Sequence, residues 1–225
     1  MKNLKLALMA VSALVLANQV QAASNDPAPA GPVILNLDGT AIPHSYTQYT
    51  ASFVAANATT NLSFAFREDP AFLMLDNVSM TTGGGANLVT NGDFEAGPVG
   101  SSAPTGWTYL NTFGATYGGQ VYSGCGVGGS NCYYDGAVQA YDSITQAIST
   151  TIGQTYDVSF WLNDSSSLST FSALSTNGGT GVGGNGVNLV VYAGGIPTLA
   201  NVPEPASLAL LGIGMIGLVA ARRRR

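Results

Sequence analysis

The segment Gln154-Thr-Tyr-Asp-Val-Ser-Phe-Trp-Leu162 alternates between apolar and polar side chains. This period of two predicts a β-strand with one buried face, formed by Tyr156, Val158 and Phe160. The same alternation predicts strands at residues 46–55, 61–67, 72–80, 87–94, 143–149 and 186–192. Residues 23–203 show no amphipathic helical period, and the 29 glycines of the chain suit tight turns, so the sequence predicts an all-β fold.

The N-terminus has the composition of an export signal. Two lysines precede an apolar run at residues 6–17, and Val20-Gln21-Ala22 is a small-x-small cleavage site. Residues 1–22 are therefore predicted to be a signal peptide that is cut between Ala22 and Ala23.

The C-terminus combines a short motif, an apolar run and a basic stop. Val202-Pro203-Glu204-Pro205 precedes an uncharged run at residues 207–221, which four arginines follow. A membrane crossing takes about 20 apolar residues, so this single hydrophobic helix is of marginal length. The arginines hold its end in the cytoplasm and leave the body of the protein outside. Either the run is a permanent anchor, or it is a sorting segment that is cut off.

This order of features at residues 201–225 resembles that of PEP-CTERM proteins. The resemblance implies export through the inner membrane of a Gram-negative bacterium, processing by an exosortase-type enzyme, and a final place at the cell surface or outside the cell. It also implies that Pro203, Glu204 and Pro205 are recognised during sorting and are not catalytic.

The charge of the body excludes one class of partner. All twelve acidic residues lie between Asp26 and Glu204, whereas Arg67 is the only Lys or Arg outside the two targeting segments, which leaves a net charge near −11. Such a surface repels phosphate backbones, so nucleic-acid binding is not expected. It attracts divalent cations instead.

Two groups of segments resemble carbohydrate-binding-module-like and galactose-binding-like jelly rolls. Residues 87–97 with Gly106-Trp107 are similar to the opening strand of those folds, and residues 144–161 are similar to their middle strands. Phe72–Met80 is similar to their closing strand. Because the closing strand here precedes the opening strand, the resemblance implies a circularly permuted jelly-roll β-sandwich.

The domain boundaries follow from this interpretation. A linker at residues 23–32 leads to a sandwich at residues 33–200, with closing strands in 33–83 and opening and middle strands in 87–197. The segment 33–43 also parallels 187–197, as a trimmed duplication would leave it. Two similar strands either both lie in the sheet, one at its edge, or one pairs with a neighbouring molecule and makes the protein self-assemble.

Cys125 and Cys132 are the only cysteines, and they lie in one glycine-rich loop. In an exported protein an even pair predicts a disulfide.

Carboxylates near the opening and closing strands suggest a structural calcium site. The predicted topology brings Asp76 beside Asp93 and Glu95, and calcium takes six to eight oxygen ligands. The jelly-roll resemblance also implies calcium near these positions, and no other cofactor is expected. The alternative is that Asp93 and Glu95 cap a turn.

Aromatic and amide side chains suggest a sugar site. Trp161 and Asn163 lie on the face opposite Tyr156, and Tyr133 and Tyr134 lie beside the disulfide loop. Aromatic faces and amides suit sugar rings, which have apolar faces and polar rims. The alternative for Trp161 is a packing role, which is also the expectation for Trp107.

No catalytic set is predicted. His44 is the only histidine, it lies in a loop, and no Gly-x-Ser-x-Gly elbow accompanies it. The sequence therefore favours an exported, non-enzymatic surface or biofilm-matrix protein that binds exopolysaccharide. Self-assembly by strand exchange is the first alternative and a secreted hydrolase is the second.

Overall fold

The computed structural model describes residues 28–68, 72–165 and 188–198. These ranges contain ten β-strands, namely β1 Val33–Asn36, β2 Thr47–Val54, β3 Thr59–Arg67, β4 Leu73–Thr81, β5 Thr108–Leu110, β6 Gln120–Ser123, β7 Asn131–Asp135, β8 Asp142–Ser149, β9 Thr155–Asp164 and β10 Asn188–Gly194. Within them no helix is long and apolar enough to cross a membrane. The predicted signal peptide and C-terminal helix lie outside the described residues.

The strands form two antiparallel sheets of five strands each. Sheet 1 has the order β1-β10-β3-β8-β5, and sheet 2 has the order β2-β9-β4-β7-β6. The core lies between them, where Phe64 of sheet 1 meets Phe160 of sheet 2 edge to face at 5.2 Å between ring centroids. The all-β sandwich predicted from the sequence is confirmed, and it is compatible with a jelly roll.

Alternation along the strands explains why the two sheets face each other. In β9, Tyr156, Val158 and Phe160 are buried while the residues between them are more exposed, as predicted. In β3, Leu62 and Phe64 are fully buried. Each sheet therefore turns an apolar face toward the other, and joining these two faces removes both from water. The second face of sheet 1 carries a smaller buried cluster, which consists of Ala65, Tyr141, Val190 and Tyr192.

The predicted strand at residues 87–94 is wrong, because this segment is a loop with a turn. Asn91 and Phe94 have φ values of 52° and 54°, and this left-handed conformation interrupts an extended chain. The segment still runs beside β4, where the Leu88 N–H donates to the Met80 carbonyl at 2.9 Å. The predicted proximity of the opening and closing segments is therefore present without a regular ladder.

The two similar segments at the ends of the sandwich are neighbours in sheet 1. β1 pairs antiparallel with β10, with Val33 opposite Tyr192, and occupies the edge of the sheet. A single molecule thus accommodates both copies, which is the simpler of the two predicted arrangements. Circular permutation and duplication remain predictions.

Candidate functional site

The outward face of sheet 2 brings together most of the predicted sugar-binding residues. Trp161 lies opposite Gln48 on β2, and Asn163 lies opposite Met74 on β4, which in turn lies opposite Tyr134 on β7. Residues directly opposite each other in a sheet point to the same side. Trp161, Asn163 and Tyr134 therefore share one face, although they come from two distant parts of the chain.

A stack of three aromatic rings extends this face toward the edge of the sheet. The Tyr134 ring lies between Phe72, at 4.4 Å between centroids and 15° between planes, and Tyr122, at 5.2 Å and 29°. Phe72 is 39% exposed and Tyr122 is 48% exposed. The stack therefore places apolar ring surface in contact with solvent.

Tyr133 does not belong to this face, so the sequence-based grouping of Tyr133 with Tyr134 is corrected. Its side chain is fully buried and its ring lies 5.7 Å from that of Phe66 and 5.8 Å from that of Phe94. Consecutive residues of a strand point to opposite faces, so only one of the two tyrosines can face outward.

The disulfide loop, residues 124–132, covers the centre of the outward face. Cys125 and Cys132 are bonded, with their Cα atoms 5.5 Å apart, which confirms the predicted disulfide. The loop is held to sheet 2 by the Tyr46 hydroxyl, which donates to the Cys125 carbonyl at 2.6 Å, and by Asn77 Nδ2, which donates to the Val127 carbonyl at 2.7 Å. It thus forms one wall of the site.

Asp76 lies beneath this loop. Strand β4 bulges between Asp76 and Ser79, and Asn77 within the bulge has a φ of 47°. The Asp76 carboxylate accepts the N–H groups of Val127 at 2.5 Å and of Asn77 at 2.7 Å. Burial under the loop raises the pKa of Asp76 to about 6, and the charges of Glu95 and Asp93 add to the increase.

The predicted calcium residues have protein partners in the structure. Glu95 Oε1 accepts the N–H groups of Ser130 and Asn131 at 2.6 and 2.8 Å, and Asp93 Oδ1 faces the Glu95 N–H at 3.5 Å. Among the described side chains, no three His, Cys, Asp or Glu residues are grouped closely enough to hold a metal ion. Calcium at these positions stays a prediction.

A polar cleft of about 330 Å³ adjoins Asp93 between β4 and the loop that follows it. Its lining residues are Asn77, Val78, Ser79, Asn87, Val89, Asn91, Gly92 and Asp93. Several of the lining amides already hold the backbone: Asn87 Oδ1 accepts the Met80 N–H at 2.9 Å, and Asn91 Oδ1 accepts the Ala96 N–H at 2.8 Å. These bonds shape the cleft.

Trp107 and His44 both have contacts that indicate structural roles. Trp107 is 6% exposed, its Nε1–H donates to the Asn91 carbonyl at 3.1 Å, and its ring contacts Phe64 and Phe94, which agrees with the expected core role. His44 lies in an exposed loop and its Nδ1 is 3.0 Å from the Asp164 carbonyl. This contact ties the His44 loop to the end of β9. The partner of the imidazole is a backbone carbonyl and not the side chain of a nucleophile.

The exposed ring stack was missed from the sequence. The alternating pattern places Phe72 at the start of a strand, and it does not single out Tyr122. Their contact with Tyr134 depends on the pairing of β6 with β7, where Tyr122 lies opposite Cys132. Alternation within Gln120–Ser123 and Asn131–Asp135 is the only signal for it, and both segments are too short for the pattern to stand out.

Comparison with known proteins is informative only at the C-terminus. The profile of the PEP-CTERM protein-sorting motif matches residues 201–225. No curated protein and no solved structure matched the chain. Because the motif is the substrate signal of exosortases in Gram-negative bacteria, it supports export with processing by such an enzyme. The chain is thus a β-sandwich protein that carries a PEP-CTERM sorting motif.

Proposed function

We propose that this exported protein binds uncharged polysaccharide at the cell surface or in the extracellular matrix, through the outward face of sheet 2. The observation that carries the proposal is the exposed stack of Phe72, Tyr134 and Tyr122 on the face that also presents Trp161 and Asn163. Exposed apolar groups clustered beside polar ones are typical of a binding surface.

The chemistry of the face fits a neutral glycan. Ring surfaces take the apolar C–H faces of sugars, and the amides of Gln48 and Asn163 and the hydroxyls of Tyr122 and Tyr134 can exchange hydrogen bonds with sugar hydroxyls. The net charge near −11 of the body opposes polyanions. Neutral chains avoid this repulsion, so they are the favoured class.

The test is affinity electrophoresis of the full-length chain in gels that contain dextran, xylan or laminarin, with alginate as the anionic counterpart. Retardation by at least one neutral polysaccharide is expected. Trp161→Ala and Tyr134→Ala should each weaken binding about tenfold, which corresponds to roughly 1.4 kcal/mol. Tyr117→Ala is the matched aromatic control, because Tyr117 is 76% exposed and lies in the loop between β5 and β6. Unchanged binding in the Trp161 and Tyr134 variants would refute the site.

Structural calcium is a second proposal for the same region. It is supported by the electrostatic proximity of Asp76, Asp93 and Glu95 and by a glycine-rich loop whose carbonyls are of the type that calcium binds. Calcium should raise the melting temperature of the chain relative to EDTA, and Glu95→Gln should remove most of that increase. An equal melting temperature in calcium and in EDTA would refute it.

Self-assembly by strand exchange has one supporting observation, the position of the four-residue strand β1 at the edge of sheet 1. An edge strand can be replaced by the same strand of a neighbour. Sedimentation velocity decides this alternative: polymers that disappear when residues 33–43 are deleted would favour it, and a monomer at all concentrations would exclude it.

A further inference from the structure

Two aspartates with no part in the site above meet at the end of the sandwich where β7 leads into β8. Asp135 is the last residue of β7 in sheet 2, Asp142 is the first residue of β8 in sheet 1, and both are fully buried. Asp135 lies opposite Leu73 and Asp142 lies opposite Phe66, and both of these partners are core residues. The register therefore turns both carboxyl groups into the core.

The two carboxyl groups approach each other at Gly119. Asp142 Oδ2 accepts the Gly119 N–H at 3.3 Å, and a Cβ on the same residue would collide with Asp135 Oδ2, so both carboxyl groups face this glycine. Asp135 Oδ1 accepts the Ala137 N–H at 2.9 Å, and Asp142 Oδ2 and the Tyr109 hydroxyl both lie against Gly118. One oxygen of each carboxyl, Asp135 Oδ2 and Asp142 Oδ1, has no donor among the described residues. The pair is thus short of hydrogen-bond donors.

Ionised carboxylates only accept hydrogen bonds, so a bond between two of them requires a proton. Two adjacent buried negative charges are also costly, and a single proton between them removes one charge and supplies the missing donor. We propose that Asp135 and Asp142 share one proton in the folded chain and that this bond latches sheet 1 to sheet 2, so that loss of the proton loosens this end of the sandwich.

Two glycines keep the pair away from water. A Cβ at Gly119 would collide with Asp135 Oδ2 and with the ring of Tyr133, and a Cβ at Gly118 would collide with the Tyr109 hydroxyl. Only residues without a side chain allow the backbone to lie this close. The close approach of the pair therefore explains why two consecutive glycines, Gly118 and Gly119, precede β6.

Among the residues that the structure describes, the ionisable groups near the pair are phenols and acids, and Arg67 is the one Lys or Arg. Tyr109 from β5 and Tyr133 from β7 are phenols whose pKa is raised by burial, so both are neutral near pH 7. Glu68, whose N–H donates to the Ala137 carbonyl at 2.7 Å, and Asp164 of β9, which lies opposite Leu73, are buried acidic residues at the same end. Arg67 acts on Asp38 and Tyr141. These neighbours favour uptake of a proton by the pair, because nearby acids and burial both disfavour a second negative charge.

The direction of the pH effect follows from linkage. Burial, and then the charge of Asp142, raises the pKa of Asp135, and burial raises the pKa of Asp142. The folded chain therefore holds the shared proton more tightly than the unfolded chain. The stability that the latch contributes is complete below the ordinary aspartate pKa and is lost as the pH rises through the raised values.

The first test is the melting temperature of the full-length chain in EDTA between about pH 5 and about pH 8. The wild type should lose several degrees as the pH rises. Asp142→Asn, which gives Asp135 a permanent N–H donor, should show a smaller loss, and Asp157→Asn on the exposed side of β9 should behave like the wild type. A wild-type melting temperature that is constant or rises over this range would overturn the proposal.

A second readout covers the case in which Asp142→Asn does not fold. Infrared spectroscopy of the wild type should show the carbonyl band of a protonated carboxyl group at about pH 7.5, where an ordinary aspartate is ionised. Asp135→Asn should remove that band. Absence of the band in the wild type would overturn the shared proton. The proposal would also be overturned if calcium raised the melting temperature of the wild type at that pH and did not raise that of Asp142→Asn. In that case a bound cation, and not a proton, would hold the two carboxylates.

Discussion

Glu95 Oε1 accepts the backbone N–H of Asn131 at 2.8 Å across 36 residues of sequence. The bond ties the segment that follows β4 to the far end of the disulfide loop, and the Ser130 N–H, at 2.6 Å, reinforces it. Because the same loop walls the outward face of sheet 2, a carboxylate outside that face sets the shape of the proposed binding site.

Replacement of Glu95 by alanine should destabilise the protein and loosen the disulfide loop. Two charge-assisted hydrogen bonds are lost, and since Glu95 is partly screened by solvent we expect about 1–2 kcal/mol in the free energy of unfolding. Urea denaturation measures the change. Glu95→Gln, which keeps an acceptor without the charge, should fall between alanine and the wild type, whereas Asp93→Asn should have little effect. Equal stability of Glu95→Ala and the wild type would show that the clamp is unimportant.

Removal of the disulfide should cost more than removal of the clamp. Closing a loop of this length contributes about 2–3 kcal/mol in the chain-entropy model. The double variant Cys125→Ser with Cys132→Ser is therefore expected to unfold at lower urea concentration and to bind polysaccharide more weakly. Hydrogen exchange of the Val127 amide, which donates to Asp76, reports the local loosening. Full protection of that amide without the disulfide would contradict a stiffening role.

Asp76 should titrate well above an ordinary aspartate. In EDTA, carbon-13 NMR of its carboxyl group should give a pKa of about 6, because the disulfide loop buries it. The contribution of this group to stability is complete below an unfolded pKa of about 3.8 and is lost as the pH rises through about 6. Glu95→Gln should lower the pKa of Asp76, since it removes a nearby negative charge. An ordinary pKa for Asp76 would mean that the loop does not cover it.

Trp107 should matter for stability and Trp161 for binding. Trp107→Ala leaves a cavity beside Phe64 and Phe94, with an expected cost of about 3–5 kcal/mol. Trp107→Phe retains the ring contacts and leaves the Asn91 carbonyl without its donor, at about 1–3 kcal/mol. Trp161→Ala should change the unfolding free energy much less than Trp107→Ala. Urea denaturation measures both changes. A larger loss of unfolding free energy in Trp161→Ala than in Trp107→Ala would contradict the assignment of Trp107 to the core and of Trp161 to binding.

Long alternating strands could be predicted from the sequence and short ones could not. β2, β3, β8 and β9 have eight to ten residues each, and in β2 and β9 the burial alternates along the strand as the residue types predict. β3 and β8 are buried on both faces over most of their length, so their length and apolar residues are the signal there. β5, β6 and β7 have three to five residues and follow glycine-rich turns, so their pairing depends on tertiary contacts. Residues 87–94 alternate like a strand, but Asn91 adopts a left-handed conformation that a pattern does not reveal.

In the candidate site, too, features within one strand could be predicted and features that depend on tertiary contacts could not. Trp161 and Asn163 were predicted correctly to lie on the face opposite Tyr156, because alternation within one strand decides this. Tyr133 and Tyr134 were both proposed as ligand-binding residues from their position beside the disulfide loop, and that position alone does not tell which of the two faces the core. The pairing of Asp135 with Asp142 had no local signal, since only the crossing between sheets brings the two residues together.

The central claim is that this sandwich works outside the cell after its C-terminal segment has acted as a sorting signal. Mass spectrometry of the intact protein, recovered from the surface or medium of the producing bacterium, tests it most directly. We expect an N-terminus at Ala23 and a C-terminus at or near the Pro203-Glu204-Pro205 motif. A chain found in the cytosol with residues 1–22 and 206–225 still attached would contradict the account.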